Sequence, residues 1–377
     1  MAKTRTITQR IAVFGQSGSG KTVLISSFYG PHQDPEFLKH SFYEVRSDST
    51  EAGIMLHQNF VKMKKDNTAP VQNRFDDQAF RFSVLPQEGN SEQKIELEWH
   101  DYPGEWFEID PATSDEQAER ISTFQSLMTS DLAIILVDGA KLLANKGEEE
   151  RYLKVLFNSY RQSFETLRDN INGTDYKQDQ FPRVWIIALS KADLWPDFTV
   201  HEFRDVIVGK AAGEIVELTR TLTKFVSHEQ SFSLGEEFLL LSSAKFEDRH
   251  IDVTKRTGVD LILPLAGVHP ISKFANWRKF GKIPPSIADK LKFIDTAPLV
   301  TKGIRMASER IALLKKLSVS ESAVVMILSL LDAAVSDVKK AQGDAMKKED
   351  FFGALMAEFV LSLKEAEKQR KLLRSRR

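Results

Sequence analysis

Residues 15–22 read "GQSGSGKT": Gly15, any four residues, Gly20, Lys21 and Thr22. No other stretch limits the fold so tightly, because this spacing works where a buried strand hands over to a helix. The flanks supply both partners. Ile11, Ala12, Val13 and Phe14 lead in as a buried strand, and Val23, Leu24, Ile25 and Phe28 set an apolar stripe along the helix that follows. In that setting the backbone N–H groups of Gly15, Ser17, Gly18, Ser19 and Gly20 can all turn inward, and the helix N-terminus adds a partial positive charge. Lys21 contributes a point charge for phosphate oxygens, the Thr22 hydroxyl suits Mg²⁺, and Val23 begins the helix wall of the pocket.

The rest of the chain is read from this loop outward. "AFRFSVL" (79–85) and "KIELEWHDY" (94–102) alternate apolar and polar residues about the turn "PQEGN", which predicts a β-hairpin. "DLAIILVDG" (131–139), "RVWIIALS" (183–190) and "EFLLLSS" (237–243) are continuous apolar runs, as expected of strands buried on both faces. Helical patterns at 51–65 and 146–170 lie between them. Alternating β and α segments predict an α/β fold, a mostly parallel sheet with helices on both faces. From about residue 285 no strand pattern is visible. Phe351, Phe352, Leu355, Met356, Phe359, Val360 and Leu363 recur every three or four residues, so an α-helical C-terminal region (285–377) is expected after a nucleotide domain (1–284).

Composition excludes several classes. The 377 residues carry a net charge of −1, which argues against nucleic-acid binding by the whole chain. There is no cysteine, hence no disulfide, thiolate metal site or cysteine nucleophile. "MAKTRTITQR" is polar with no apolar run behind it, so no secretory signal is expected, and "SAVVMILSLLDAAV" is too short to span a bilayer. A cytoplasmic protein is expected. Residues 301–377 hold 16 Lys and Arg against 10 Asp and Glu, ending in "KQRKLLRSRR". That basic end adds the option of peripheral contact with an anionic membrane.

"DYPGEW" (101–106) ends a strand with Asp-x-x-Gly. Asp101 is placed to hold Mg²⁺ through water, and the Gly104 N–H to meet a terminal phosphate. "SKAD" (190–193) and "SSAK" (242–245) each end a strand further on. With these three stretches in order, the chain resembles the TRAFAC class of P-loop GTPases, and "DYPGEW" resembles the YcjX-like bacterial predicted GTPases in particular. The resemblance covers roughly 10–250. It implies that Asp193 accepts hydrogen bonds from guanine N1 and N2, that the Lys191 stem packs on the base, and that Ser243, Ala244 and Lys245 form the loop that meets guanine O6. Ser190 departs from the usual Asn or Thr. Adenine lacks the N2 amine, so a carboxylate at this point selects guanine.

The resemblance also implies a switch threonine over Mg²⁺, with Thr68 the candidate and Thr50 the second choice. Lys21, Gly104 and Glu105 are the catalytic candidates. Glu105 stands where a water-orienting glutamine is usual, and it either acts as the base or faces outward. Arg74 is a candidate arginine finger in cis. The expected activity is Mg²⁺-dependent hydrolysis of GTP to GDP and phosphate, with slow intrinsic turnover and a nucleotide-gated switch. That switch acts on a protein partner or on self-association through the C-terminal helices. A mechanochemical assembly scaffold with little hydrolysis and a P-loop ATPase remain the alternatives.

Overall fold

The computed structural model describes residues 5–70, 78–88, 93–101, 104–107, 111–170, 184–226, 232, 234–247, 249–279 and 321–375. In chain order the regular elements are β1 (Arg5–Phe14), α1 (Lys21–Tyr29), α2 (Pro35–His40), β2 (Tyr43–Ser47), α3 (Thr50–Asp66), β3 (Gln78–Pro86) and β4 (Gln93–Asp101). Next come α4 (Ser114–Met128), β5 (Leu132–Asp138), α5 (Gly139–Ala144), α6 (Glu149–Asn170), β6 (Val184–Ser190), α7 (Val200–Thr223) and β7 (Phe238–Leu240). The chain ends with β8 (Lys245–Glu247), β9 (His250–Asp252), α8 (Ile262–Lys279), α9 (Glu321–Asp332), α10 (Val335–Lys347), α11 (Phe351–Lys368) and β10 (Leu372–Leu373).

Eight strands form one sheet in the order β10-β7-β6-β5-β1-β4-β3-β2. Strands β4, β1, β5, β6 and β7 run parallel, so their C-terminal ends share one edge and the loops leaving them gather there. The hairpin expected at 79–102 is present as β3 and β4, with Phe80 opposite Trp99, Phe82 opposite Leu97 and Val84 opposite Ile95.

Period-two alternation splits each central strand between two cores. Ile11 and Val13 of β1, Ile134 and Leu136 of β5 and Ile186 of β6 face one side, where α1, α8 and α11 cover them. Ala12 and Phe14, Ile135 and Val137, and Trp185 and Ile187 face the other, under α4, α6 and α7. Both faces are therefore closed by helices, the P-loop GTPase-type α/β architecture. The apolar stripe of α11 packs into the first core: Phe352, Leu355, Met356, Phe359, Val360 and Leu363 are all buried there. Gly267 of α8 lets the Phe359 ring lie 3.1 Å from where a Cβ would stand.

Two differences from the sequence reading concern short strands. β7 covers three residues rather than seven, because Ser242 leaves the sheet to bridge Thr257. Beyond residue 285 a strand does occur. Leu372 pairs antiparallel with Leu239, and its buried side chain joins the core. Two residues are too few to show a period, and here they sit inside a basic run. The expected domain boundary at 285 falls outside the described residues.

Candidate functional site

At the C-terminal edge of the parallel strands lies a cavity of about 390 Å³, bounded at one end by Ser17, Gly18, Ser19, Gly20, Lys21, Thr22 and Val23. This is the loop singled out from sequence. Gly20 takes the left-handed conformation (φ 95°) immediately before α1, a backbone turn that side chains resist. Gly15 follows the end of β1, and its carbonyl accepts from Lys21 Nζ at 2.7 Å. Lys21 is buried, folded back over the loop toward Gly15 and Gln16. Lys141 of α5 reaches the same loop, donating to Gln16 Oε1 at 3.1 Å.

Gly104 and Glu105 also line the cavity, on a short 3₁₀ turn (Gly104–Phe107) after β4. A Cβ on Gly104 would stand 2.4 Å from the Ser17 amide nitrogen, so this turn lies directly against the phosphate loop and only glycine fits. Beside it, Ser17 Oγ donates to Glu105 Oε1 at 2.9 Å. The sequence left Glu105 as either base or outward-facing. In the structure its carboxylate lines the cavity and is held by the loop. Arg120 of α4 supports the turn from behind, donating to the Trp106 carbonyl at 3.4 Å with its guanidinium 5.6 Å over the Trp106 ring.

The far end is built from the ends of β6 and β7. Lys191 is in the left-handed region (φ 53°) and its Nζ pairs with buried Asp138 at 2.8 Å. Asp138 in turn caps α5 by accepting from the Ala140 and Lys141 amides. Asp193 lines the cavity with both carboxylate oxygens occupied: Oδ1 lies 2.7 Å from Ser242 Oγ, and Oδ2 accepts from the Phe246 amide at 3.1 Å. Such bonds fix the plane of the carboxylate while leaving lone pairs for a ligand. Ser190, the departure from the usual Asn or Thr, donates to the Val137 carbonyl at 3.3 Å and so ties β6 to β5.

The other expected residues divide. Ser243 lines the cavity, whereas Ala244 is buried beneath it and Lys245 pairs outward with Glu247 at 2.7 Å, neither of them on its wall. Thr68 is exposed, and its hydroxyl donates to the Asp66 carbonyl. The next residues, Ala69 and Pro70, reach the wall instead. Thr50 lies on a separate shallow depression beside Tyr29 and His57. Asp101 ends β4 at the correct edge, but its side chain, like the whole of Arg74, is outside the described residues.

Sequence reasoning missed Ser242, Phe246 and Leu194 on the wall. Ser242 was legible as the first serine of "SSAK". The orientation of Phe246 depends on the hairpin β8–β9, whose three-residue strands are too short to carry a pattern.

Among the described residues no group of three or more His, Asp or Glu could hold a metal, and no helix is long and apolar enough to cross a membrane. Magnesium at a phosphate loop needs fewer protein ligands than that, because phosphate oxygens and water complete its shell. The Thr22 hydroxyl on the cavity wall fits that demand.

A strand–loop–helix phosphate cradle, an Asp-x-x-Gly turn against it and an Asp-bearing loop at the opposite end define a P-loop GTPase by fold and site. Within that class the chain belongs to the Double-GTPase 2 family, whose model matches residues 9–240. No curated protein sequence matches it. A solved structure of Methanosarcina barkeri Roco2 RocCORdC bound to GDP is similar at 11% identity, covering 97% of this chain and 91% of that one. Its TM-score is 0.25, too low to define a common fold over the chain.

Proposed function

We propose that this protein binds GTP and GDP with Mg²⁺ and hydrolyses GTP slowly to GDP and phosphate. One observation carries the reading. The Asp193 carboxylate, with its plane fixed by Ser242 and Phe246, stands in the same cavity as the phosphate loop. A carboxylate set this way can accept from N1–H and N2–H of guanine, and adenine would leave it unpaired. The Lys191 stem borders the base. Gln16 to Gly20 and Lys21 would cradle the phosphates, with Lys21 turning from the Gly15 carbonyl toward the anion.

Thr22 and Asp101 would hold Mg²⁺, which when bound neutralises charge on the phosphate oxygens. In the reaction water attacks the γ-phosphorus, the bond to the β–γ bridging oxygen breaks, and the leaving electron pair stays on GDP. The Glu105–Ser17 contact supports slow turnover, since a carboxylate near the terminal phosphate is repelled and must shift before that site fills. Movement of the Gly104–Phe107 turn is the candidate nucleotide switch, read by a protein partner or a second copy.

Phosphate release by the full chain tests this. Turnover of GTP should require Mg²⁺, and Lys21→Ala should lower GTP affinity by ~10²-fold or more. Normal binding and turnover by Lys21→Ala would place the reaction elsewhere.

A further inference from the structure

Phe246 follows the "SSAK" loop and is the first residue of β8 past Lys245. It lines the cavity together with Lys191, Asp193 and Leu194. Its amide donates to Asp193 Oδ2, so the ring is tied through one residue to the carboxylate that reads the base edge. The half-buried side chain packs against a small buried cluster made by Phe60 and Met63 of α3 with Ala244, Ile251 and Val253, and Ile251 is its register partner across the β8–β9 hairpin. α3 is in turn pinned to that hairpin, because Asn67 Oδ1 accepts from the Ile251 amide at 2.8 Å. A large aromatic side chain on an apolar base, held beside a polar edge reader, is an arrangement suited to a flat heteroaromatic ligand.

Resting on the nucleotide reading above, we infer that Phe246 is the stacking platform for the purine ring, a positioning role distinct from the edge recognition by Asp193. A base whose edge meets Asp193 must lie within reach of the residue bonded to that same carboxylate. Every base has a π face, so the platform adds affinity for GDP and GTP alike and leaves discrimination to Asp193. It also couples base binding to α3, the element that leads into the cavity wall at Ala69 and Pro70.

The test compares Phe246→Leu and Phe246→Trp with wild type in calorimetric titrations of GDP, GTP and inorganic tripolyphosphate, with unfolding measured in parallel. Leucine keeps the apolar packing and removes the π face. Phe246→Leu should weaken GDP and GTP by the same factor, about tenfold, and leave tripolyphosphate affinity unchanged. Phe246→Trp should restore nucleotide affinity, and saturating GDP should change its fluorescence beyond any change seen in wild type. Wild-type GDP affinity in Phe246→Leu, or fluorescence of Phe246→Trp that responds to GDP no more than wild type does, would overturn the stacking role while the nucleotide reading stood. Failure of wild type to bind any guanine nucleotide would overturn both.

Discussion

Glu105 places a carboxylate at the phosphate end of the cavity, bonded to Ser17. A diphosphate leaves that end empty, whereas a γ-phosphate brings negative charge toward it. Glu105→Gln removes the charge and keeps an acceptor for the Ser17 hydroxyl. The ratio of GTP to GDP affinity should therefore rise about fivefold, the equivalent of roughly 1 kcal/mol between partly screened charges. Competition binding with the two nucleotides reads this directly, and an unchanged or lower ratio would contradict the account. Histidine supplies a second residue-scale prediction. His32 is buried among Phe28, Phe37 and Tyr43, and that burial pushes its pKa down to about 4. The unfolded chain takes up a proton near pH 6.5 and the folded chain does not, so stability falls as pH drops from about 6.5 toward 4 and levels off below that. Between pH 7.5 and 5 this site should cost about 2 kcal/mol. His32→Gln, which can still donate to the Phe28 carbonyl, should lose correspondingly less in urea unfolding at the two pH values. Equal losses would remove His32 as the cause.

The elements differ in how legible they were, and the reason is length. β5 and β6 are seven-residue strands, apolar up to the closing Asp138 and Ser190 and buried at every position, and both stood out in the sequence. The α11 stripe was equally plain, because helical periodicity accumulates over 18 residues. What the stripe could not reveal was its partner, which turns out to be the same core that holds Ile11 and Leu97. β10 was hidden for the opposite reason. "KQRKLLRSRR" reads as a charged end, yet Leu372 is buried, and the carbonyls of Arg370 and Lys371 accept from the amides of Val200 and Leu240 at 2.8 and 3.0 Å. This strap covers the outer edge of β7, the strand that leads into the Ser242–Ser243 loop. Leu372→Ala should cost about 2–4 kcal/mol by the cavity it leaves. A loss below about 0.5 kcal/mol in urea unfolding would mean that the strap is not part of the cooperative fold.

At the scale of the whole molecule, one sheet edge gathers loops from β1, β4, β6 and β7 into a single cavity, and the order of those loops was visible before any coordinates. The loop at 15–23 was legible because its residues are contiguous in the chain, whereas the orientation of Glu105 beside it and the reach of Lys141 to Gln16 were not. The base end was legible at Lys191, Asp193 and Ser243. It was hidden at Phe246, whose position follows from how the hairpin after β7 folds back. The expected switch position Thr68 is not on the cavity wall, since α3 and the turn at Asn67 set where the chain enters it and bring Ala69 and Pro70 there instead.

On the proposed function, Asp193 reads a guanine base in a cavity whose other end holds its phosphates. The most direct measurement is calorimetric titration of wild type and Asp193→Asn with GDP, ADP and xanthosine diphosphate at fixed Mg²⁺. Wild type should prefer GDP over ADP by at least tenfold, about 1.4 kcal/mol, and Asp193→Asn should lose GDP affinity and gain affinity for xanthosine diphosphate, whose C2 carbonyl oxygen can accept from the new amide NH2. Equal affinity of wild type for GDP and ADP, or a GDP preference that survives Asp193→Asn, would contradict it.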